Sequence, residues 1–219
     1  MAKAIIFDLD GTLADSTACV VQAAHEAADA AGLQAATDES IRHRIGEPLG
    51  PMLGALYGVA GGELEALTAG YSAAYVRLTA TLERPFPGVE HLLQRLRARG
   101  WKLAVATGKS QNGADRATHR MGLAGYFDAV HGILPGTPGK PHPAVLSRAL
   151  ADLEVAPSEA IMVGDTTFDM DMAAALGVPA VGVAWGVHPI ETLDRPGVHA
   201  RVLDMATLED VLNRAFSGG

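Results

Sequence analysis

The sequence predicts an α/β protein with a parallel sheet, helices on both faces of that sheet, and a helical segment inserted after the first strand. Residues 4–9 form an apolar run without clean alternation, which suits a strand buried on both faces. From residue 89 onward, short apolar runs alternate with amphipathic segments, the pattern of repeated βα units. Residues 15–83 are helical in pattern throughout.

The strands and helices are predicted from the periodicity of apolar residues and from the positions of glycines and prolines. Predicted strands cover about 3–9, 102–106, 128–132, 160–163 and 180–183, with a last one near 201–203. Predicted helices cover 17–31, 39–44, 52–57, 63–81, 89–99, 112–121, 143–153, 168–176 and 208–216. Asp15 or Ser16 can cap the first helix, and Thr37 or Asp38 the second. Prolines break the chain at 46–50 and predict a stiff linker at 84–88.

The helical insertion suggests two domains. We expect a core built from residues 1–14 and 84–219, and a helical cap built from residues 15–83. The chain then returns from the cap to the core through the proline-containing linker. A cap of this kind is suited to closing over a site at the edge of the sheet and excluding water from it.

Composition narrows the classes of partner and compartment. The chain has 219 residues, 48% of them apolar, and a net charge of −8, which argues against nucleic acid and anionic membranes as partners. Cys19 is the only cysteine, so no internal disulfide is possible, and we expect it to be a small core residue. The apolar run near the start is interrupted by Asp8 and Asp10, unlike a signal peptide or a membrane span. We therefore expect a cytoplasmic protein, monomeric or homodimeric.

Two carboxylates one residue apart end the first strand. Asp8 and Asp10 leave the same face if the strand continues that far, at the edge where open α/β sheets bind ligands. Two close anions repel unless a cation or a proton lies between them. A hard divalent metal with oxygen ligands is the simplest solution. The alternative is a pair of solvated aspartates in a turn.

Other predicted strands also end in polar turns. Two of these turns contain Thr107-Gly108-Lys109 and Asp165, with Asp169 shortly after, and a separate loop carries Lys140. In a doubly wound sheet they meet at one edge, where they would form a pocket for a phosphate and a divalent metal. Each of these residues could instead have no role in binding. Thr107 would then be an ordinary turn residue, Lys140 a solvated lysine, and Asp169 a residue that interacts with the helix dipole.

Four of these motifs resemble those of the haloacid dehalogenase superfamily, and within it the phosphoglycolate phosphatase-like group. They are Phe7-Asp8-Leu9-Asp10-Gly11-Thr12-Leu13, Thr107, Lys140-Pro141, and Gly164-Asp165 with Asp169, in the family's order. The resemblance implies a Rossmann-like doubly wound core, and the helical block lies where this family inserts its cap. The superfamily's dehalogenases lack the second aspartate of the first motif, so this chain looks like a phosphatase.

The resemblance also implies roles for the carboxylates. Asp8 looks like the nucleophile that forms an aspartyl-phosphate, and Asp10 like the general acid and base, with a plain metal-shell anion as the alternative. Mg²⁺ would be held by Asp8, the backbone carbonyl of Asp10, and Asp165. Asp169 would be a further ligand, directly or through water.

Substrate contacts are expected from both parts of the chain. Thr107, Gly108, Lys109 and Lys140 would bind the phosphoryl oxygens, and Lys140 would also orient Asp8. Arg44, in a loop shaped by glycine and proline, would meet a substrate carboxylate; a solvated helix face is the alternative.

The expected function is Mg²⁺-dependent hydrolysis of a small phosphorylated metabolite, with 2-phosphoglycolate the leading substrate. The alternatives are a pyrophosphatase, a sugar phosphatase, a phosphomutase, or a non-catalytic binding protein that keeps the fold. No lysine occurs between Lys3 and Lys102, so the cap cannot supply the Schiff-base lysine of the family's phosphonate-cleaving members. The mutases usually carry a cap-helix histidine soon after the first motif, where this chain has Thr17-Ala18-Cys19-Val20-Val21.

Overall fold

A computed structural model describes residues 4–214 and contains a central parallel sheet with a smaller two-stranded sheet beside it. The strands are β1 Ala4–Phe7, β2 Ala14–Asp15, β3 Arg84–Pro85, β4 Lys102–Ser110, β5 Ala129–Ile133, β6 Ala160–Gly164, β7 Ala180–Val183 and β8 Val198–Val202. The helices are α1 Thr17–Ala30, α2 Asp38–His43, α3 Leu49–Tyr57, α4 Gly61–Leu82, α5 Val89–Ala98, α6 Gln111–Arg120, α7 Ala144–Asp152, α8 Thr167–Ala174 and α9 Met205–Arg214. Short 3₁₀ turns cover Ala124–Tyr126, Pro157–Glu159 and Ile190–Leu193.

The six strands of the main sheet run in the order β5-β4-β1-β6-β7-β8, all parallel. Strand β1 is fully buried at the centre, as its unbroken apolar run predicts. Phe7 lies opposite Val105 of β4 and Val163 of β6. The carboxyl ends of β1, β4 and β6 are therefore neighbours, and the residues after them share one edge of the sheet.

Each face of the sheet is covered by helices. Because side chains alternate along a strand, Ile5 and Phe7 pack into one apolar layer and Ala4 and Ile6 into the other. The first layer includes residues of α5 and α9, and the second includes residues of α7 and α8. The predicted α/β architecture, a doubly wound parallel sheet, is confirmed.

Helices α1 to α4 have an apolar cluster of their own, built from residues such as Val20, Ile41, Leu53, Leu67 and Leu78. We call residues 15–83 the cap segment. Strands β2 and β3 pair antiparallel where the chain enters and leaves this segment. The exact division of the chain into core and cap domains stays a prediction.

Several predicted element ends are wrong, for identifiable reasons. Strand β4 does not stop at Ala106 but runs to Ser110, with its register to β5 shifted between those residues. The shift is possible because Gly132 lets the backbone approach closely: a Cβ there would lie 2.7 Å from the Lys109 carbonyl oxygen. Helix α3 begins at Leu49 and not at residue 52. It can include Pro51 because the N–H groups of a first turn have no partner within the helix, so a missing one costs little.

Two further local expectations need correction. The first helix has no side-chain cap: Ser16 occupies the cap position but its hydroxyl donates to Asp10 instead, and Asp15 belongs to β2. Part of the predicted linker at 84–88 is strand β3. Thr37 does cap α2, accepting from the Ser40 N–H. The predicted first strand and last helix extend to residues 3 and 215–216, which lie outside the described residues.

Candidate active site

Three buried carboxylates converge at the carboxyl edge of the sheet. Asp8 follows β1, Asp165 follows β6, and Asp169 lies in the first turn of α8. One oxygen from each lies within 4.8 Å of the others, and all three residues are buried. The sequence predicted that the turns carrying Asp8 and Asp165 meet at one edge of the sheet, and Asp169 joins them from the helix that follows β6.

Neutral donors orient two of these carboxylates. Asp165 accepts from the Thr12 hydroxyl at 2.8 Å through Oδ1, and from the Val187 N–H at 2.9 Å through Oδ2. Asp169 Oδ2 accepts from the Thr166 N–H at 3.1 Å and from the Thr166 hydroxyl at 2.8 Å. These bonds fix the two side chains before any ligand is bound.

Glycines make room for the same carboxylates. A Cβ on Gly11, whose φ of 77° is in the left-handed region, would lie 2.2 Å from Asp165 Oδ2. A Cβ on Gly186 would lie equally close to Asp165, at 2.2 Å from its Cβ and its Oδ2. The turns after β1 and β7 therefore close around Asp165 only because they carry no side chain at these positions.

Lys140 joins the cluster as its one cation among the described residues. Its Nζ lies 2.7 Å from Asp8 Oδ1 and donates to Asp169 Oδ1 at 2.5 Å. The lysine side chain is only 2% exposed, so these two ion pairs are shielded from water. Lys140 therefore holds the carboxylate of Asp8 in place.

The charges of this cluster do not balance. Three carboxylates face one ammonium group, and Asp8 Oδ1 lacks a hydrogen bond of good geometry although Lys140 is near. Burial raises the pKa of Asp8 to about 7, against the opposing effect of Lys140. Burial, then the charges of Asp8 and Asp169, also raise the pKa of Asp165 well above its usual value. A buried anionic oxygen cluster of this kind fits a hard divalent cation.

Asp10 belongs to a second polar group beside the cluster. Its Oδ1 accepts from the Ser16 hydroxyl, lies 2.9 Å from Lys109 Nζ, and is 3.4 Å from the Tyr75 hydroxyl. Its carboxylate is thus directed at Lys109 and the cap segment. The side chain of Asp10 is not one of the clustered ligands, which leaves its backbone carbonyl as the metal contact that the resemblance implies.

Glu83, at the end of α4, completes this group and was missed by the sequence reasoning. Its side chain is fully buried, pairs with Arg120, and lies 3.5 Å from Lys109 Nζ. The Tyr75 hydroxyl donates to it at 3.2 Å. A glutamate before a proline-containing linker has the pattern of a solvated residue, so no local signal marked it. We call Asp10, Glu83, Lys109, Arg120 and Tyr75 the hinge network.

A cavity of about 580 Å³ lies over the carboxylates, between the core and the cap segment. Asp8, Asp10, Thr107, Gly108, Lys109 and Lys140 all line it. Thr107 is buried, and its hydroxyl accepts from the Lys109 N–H at 3.3 Å. Arg44 is not among the lining residues, and its Nη1 contacts Glu47 at 2.9 and 3.1 Å. The structure thus brings the predicted phosphate-site residues together and leaves Arg44 outside them.

The family model for haloacid dehalogenase-like hydrolases matches residues 5–183. The chain belongs to this family. As a haloacid dehalogenase-like enzyme with phosphatase homologues, it is a hydrolase of the phosphatase kind that acts on phosphorylated substrates. None of the described helices of this family member is long and apolar enough to cross a membrane.

Curated relatives of this family member carry several names. A probable phosphatase, IndB, from Dickeya dadantii is 36% identical over 199 residues, which cover 88% of this chain and 86% of the relative. A phosphoglycolate phosphatase from Rhodospirillum rubrum is 32% identical and covers 100% of this chain and 94% of that protein. The tyrosine-protein kinase PtkA of Mycobacterium tuberculosis is 33% identical over 204 residues, which cover 91% of this chain and 69% of the kinase.

Solved structures share the whole fold with this haloacid dehalogenase-like chain. A predicted phosphatase from Clostridium acetobutylicum superimposes with a TM-score of 0.89 at 26% identity, covering 98% of this chain and 99% of that one. The likeness extends over the cap segment as well as the sheet, since nearly all of both chains is matched.

Proposed function

We propose that this protein is a Mg²⁺-dependent phosphomonoesterase that forms an aspartyl-phosphate on Asp8. The observation that carries the proposal is the setting of Asp8. Its carboxylate lines the cavity, is held by Lys140, and lies among two further buried carboxylates that suit a divalent ion. A carboxylate needs no base to become a nucleophile once it is ionised, and Lys140 favours that ionised form.

The reaction takes place in two displacements. Asp8 enters the reaction ionised and Asp10 enters it protonated. An oxygen of Asp8 bonds to phosphorus while the ester P–O bond breaks, and Asp10 gives its proton to the departing alkoxide. Asp10 then takes a proton from a water, whose oxygen bonds to phosphorus as the bond to Asp8 breaks. Inorganic phosphate leaves, and both aspartates return to their starting forms.

The surrounding residues position and neutralise the phosphoryl group. Asp8, Asp165, Asp169 and the carbonyl of Asp10 would hold Mg²⁺, which when bound supplies positive charge to the phosphoryl oxygens. The Thr107 hydroxyl and the N–H groups after it donate to those oxygens, and Lys140 offsets their charge. Lys109 keeps the Asp10 carboxylate beside the leaving group.

The relatives suggest which ester to test first. Because curated relatives are named phosphoglycolate phosphatases, 2-phosphoglycolate is the reference substrate, and Arg44 would meet its carboxylate if the cap segment rearranged. Inorganic pyrophosphate is the second, since a relative from Clostridium perfringens is named a putative pyrophosphatase.

The test is phosphate release from a panel of phosphate esters, with Mg²⁺ and with EDTA. We expect release that requires Mg²⁺ and falls to background in Asp8→Asn, together with a phosphorylated Asp8 peptide in rapidly quenched wild-type protein. Asp171→Asn, which changes a partly exposed carboxylate on the same helix as Asp169, should keep full activity. Turnover in Asp8→Asn at the wild-type rate would refute the nucleophile assignment.

A further inference from the structure

The wall that the cap segment contributes to the cavity is apolar and carries no cation among the described residues. Most of its lining side chains are aliphatic or aromatic, among them Leu49, Met52, Tyr71, Tyr75 and Val76, and the remainder include Glu47. Glu47 is the one charged group in this set, and it is an anion paired with Arg44. A leaving group that contacts the cap segment therefore meets hydrocarbon, aromatic rings and hydroxyls.

The cations on the core side are mostly committed to other groups. Lys140 pairs with Asp8 and Asp169, Lys109 with Asp10, and Arg120 with Glu83. Arg116 also lines the cavity, but it is exposed to water, where ion pairs contribute little. A carboxylate on the leaving group, as in glycolate, would thus be desolvated without a buried partner.

The size of the cavity also favours a leaving group larger than glycolate. About 580 Å³ is in the range of sites that hold drug-sized molecules, far more than a phosphoryl group and a two-carbon acid occupy. Tyr71 and Tyr75 are stacked, with ring centroids 5.8 Å apart and an interplanar angle of 13°, and both line this space. Val76 beside them is 52% exposed, an uncovered apolar side chain on the cavity wall. The core side adds Ile133 and Leu134.

We propose that the preferred substrate is a phosphate monoester of an uncharged, largely apolar alcohol about the size of an aromatic ring. Its body would lie against Leu49, Met52, Tyr71 and Val76 of the cap segment while the phosphoryl group lies at Asp8. The proposal rests on the proposed phosphatase function and names the substrate class of that site. Burying such a ring stabilises the complex, and a carboxylate in its place does not.

The experiment compares ethyl phosphate, 2-phenylethyl phosphate and 2-phosphoglycolate with Mg²⁺ and the wild-type protein. The first two esters have leaving alkoxides of similar basicity, so their kcat/KM ratio reports binding of the ring. We expect 2-phenylethyl phosphate to exceed ethyl phosphate by roughly 10- to 100-fold, the effect of burying one aromatic side chain, and to exceed 2-phosphoglycolate as well. A ratio near one, or 2-phosphoglycolate as the best substrate, would overturn the proposal.

A pair of variants on α4 locates the effect. Val76→Lys places a charge on the cavity wall, and should lower the ratio of kcat/KM for 2-phenylethyl phosphate to kcat/KM for ethyl phosphate roughly tenfold. Leu82→Lys is the matched control, since Leu82 is also exposed on α4 but does not line the cavity. Equal effects of the two variants would count against the proposed wall.

Binding separates failure of this proposal from failure of the proposed function. In Asp8→Asn protein with Mg²⁺, calorimetry with the same esters should give a Kd for 2-phenylethyl phosphate roughly 10-fold below that for ethyl phosphate. If no ester releases phosphate from the wild-type protein, the proposed function fails, and this ratio alone decides the ligand class. If esters are hydrolysed but the ratio is near one, only the substrate class is wrong.

Discussion

At the scale of single residues, Lys140 decides the electrostatics of the site. It is the one ammonium group in contact with the carboxylate cluster of the described chain, and it contacts both Asp8 and Asp169. Burial opposes its charge, but these two anions raise the pKa of the lysine above its usual value. Lys140 therefore stays charged over the whole working range of pH, and the anionic form of Asp8 depends on it.

Replacing Lys140 by Met should lower kcat by roughly 10²–10³, the range seen when an oxyanion donor is lost. It should also reduce the free energy of unfolding by about 3–5 kcal/mol in the absence of metal, because buried carboxylates lose their partner. Steady-state kinetics and chemical denaturation measure the two effects. Lys102→Met is the control, since Lys102 donates to the Leu153 carbonyl oxygen and lies opposite Ala4, at the amino ends of the strands and away from the site. Unchanged kcat in Lys140→Met would refute its role.

Several of the residues predicted from sequence lie at or near the carboxyl end of a strand. Asp8 and Asp165 directly follow β1 and β6, and Thr107 lies in the last part of β4, so the parallel sheet brings them together without further information. The hinge network lacks such a signal. Glu83 and Arg120 are 37 residues apart in sequence and meet only in the folded chain, so their pairing depends on tertiary structure.

At the scale of elements, the junction between cap segment and core contains contacts that its sequence does not indicate. Strands β2 and β3 pair there over Ala14–Asp15 and Arg84–Pro85, and two-residue strands leave no periodicity to detect. Beside them, Glu83 ties Lys109 and Arg120 of the core to Tyr75 of α4. Long helices and buried strands were predicted because their periodicity extends over whole elements, whereas this junction depends on a few contacts.

Glu83→Gln should destabilise the protein by about 1–3 kcal/mol, because the buried Lys109 loses one of its two carboxylate partners and the partly exposed Arg120 loses its ion pair. Equilibrium denaturation with urea measures this loss. Glu90→Gln is the matched control: Glu90 is exposed and accepts only from the Tyr126 hydroxyl, so the expected change is within about 0.5 kcal/mol. If both variants lose the same small amount, the buried ion pairs of Glu83 do not stabilise the junction.

At the scale of the whole molecule, the buried carboxylates link stability to pH and metal. The pKa of Asp8 is raised by burial to about 7, and that of Asp165 is raised by burial as well. A raised pKa means that folding favours the protonated form. The contribution of Asp8 to stability is therefore fully present below its unfolded pKa, near 4, and is lost as the pH rises through about 7.

Mg²⁺ should reverse this loss, because a divalent ion binds the ionised carboxylates and only the folded chain presents them together. At a concentration 100-fold above its Kd, the metal adds about 2.7 kcal/mol, which corresponds to a rise in Tm of roughly 5–10 °C for a chain of this size. We expect this full rise at pH 8 and a much smaller one at pH 5.5, measured by thermal denaturation with Mg²⁺ and with EDTA. Asp165→Asn should abolish the rise and Asp171→Asn should keep it. An equal rise at both pH values would mean that the metal stabilises the protein somewhere other than at these three carboxylates.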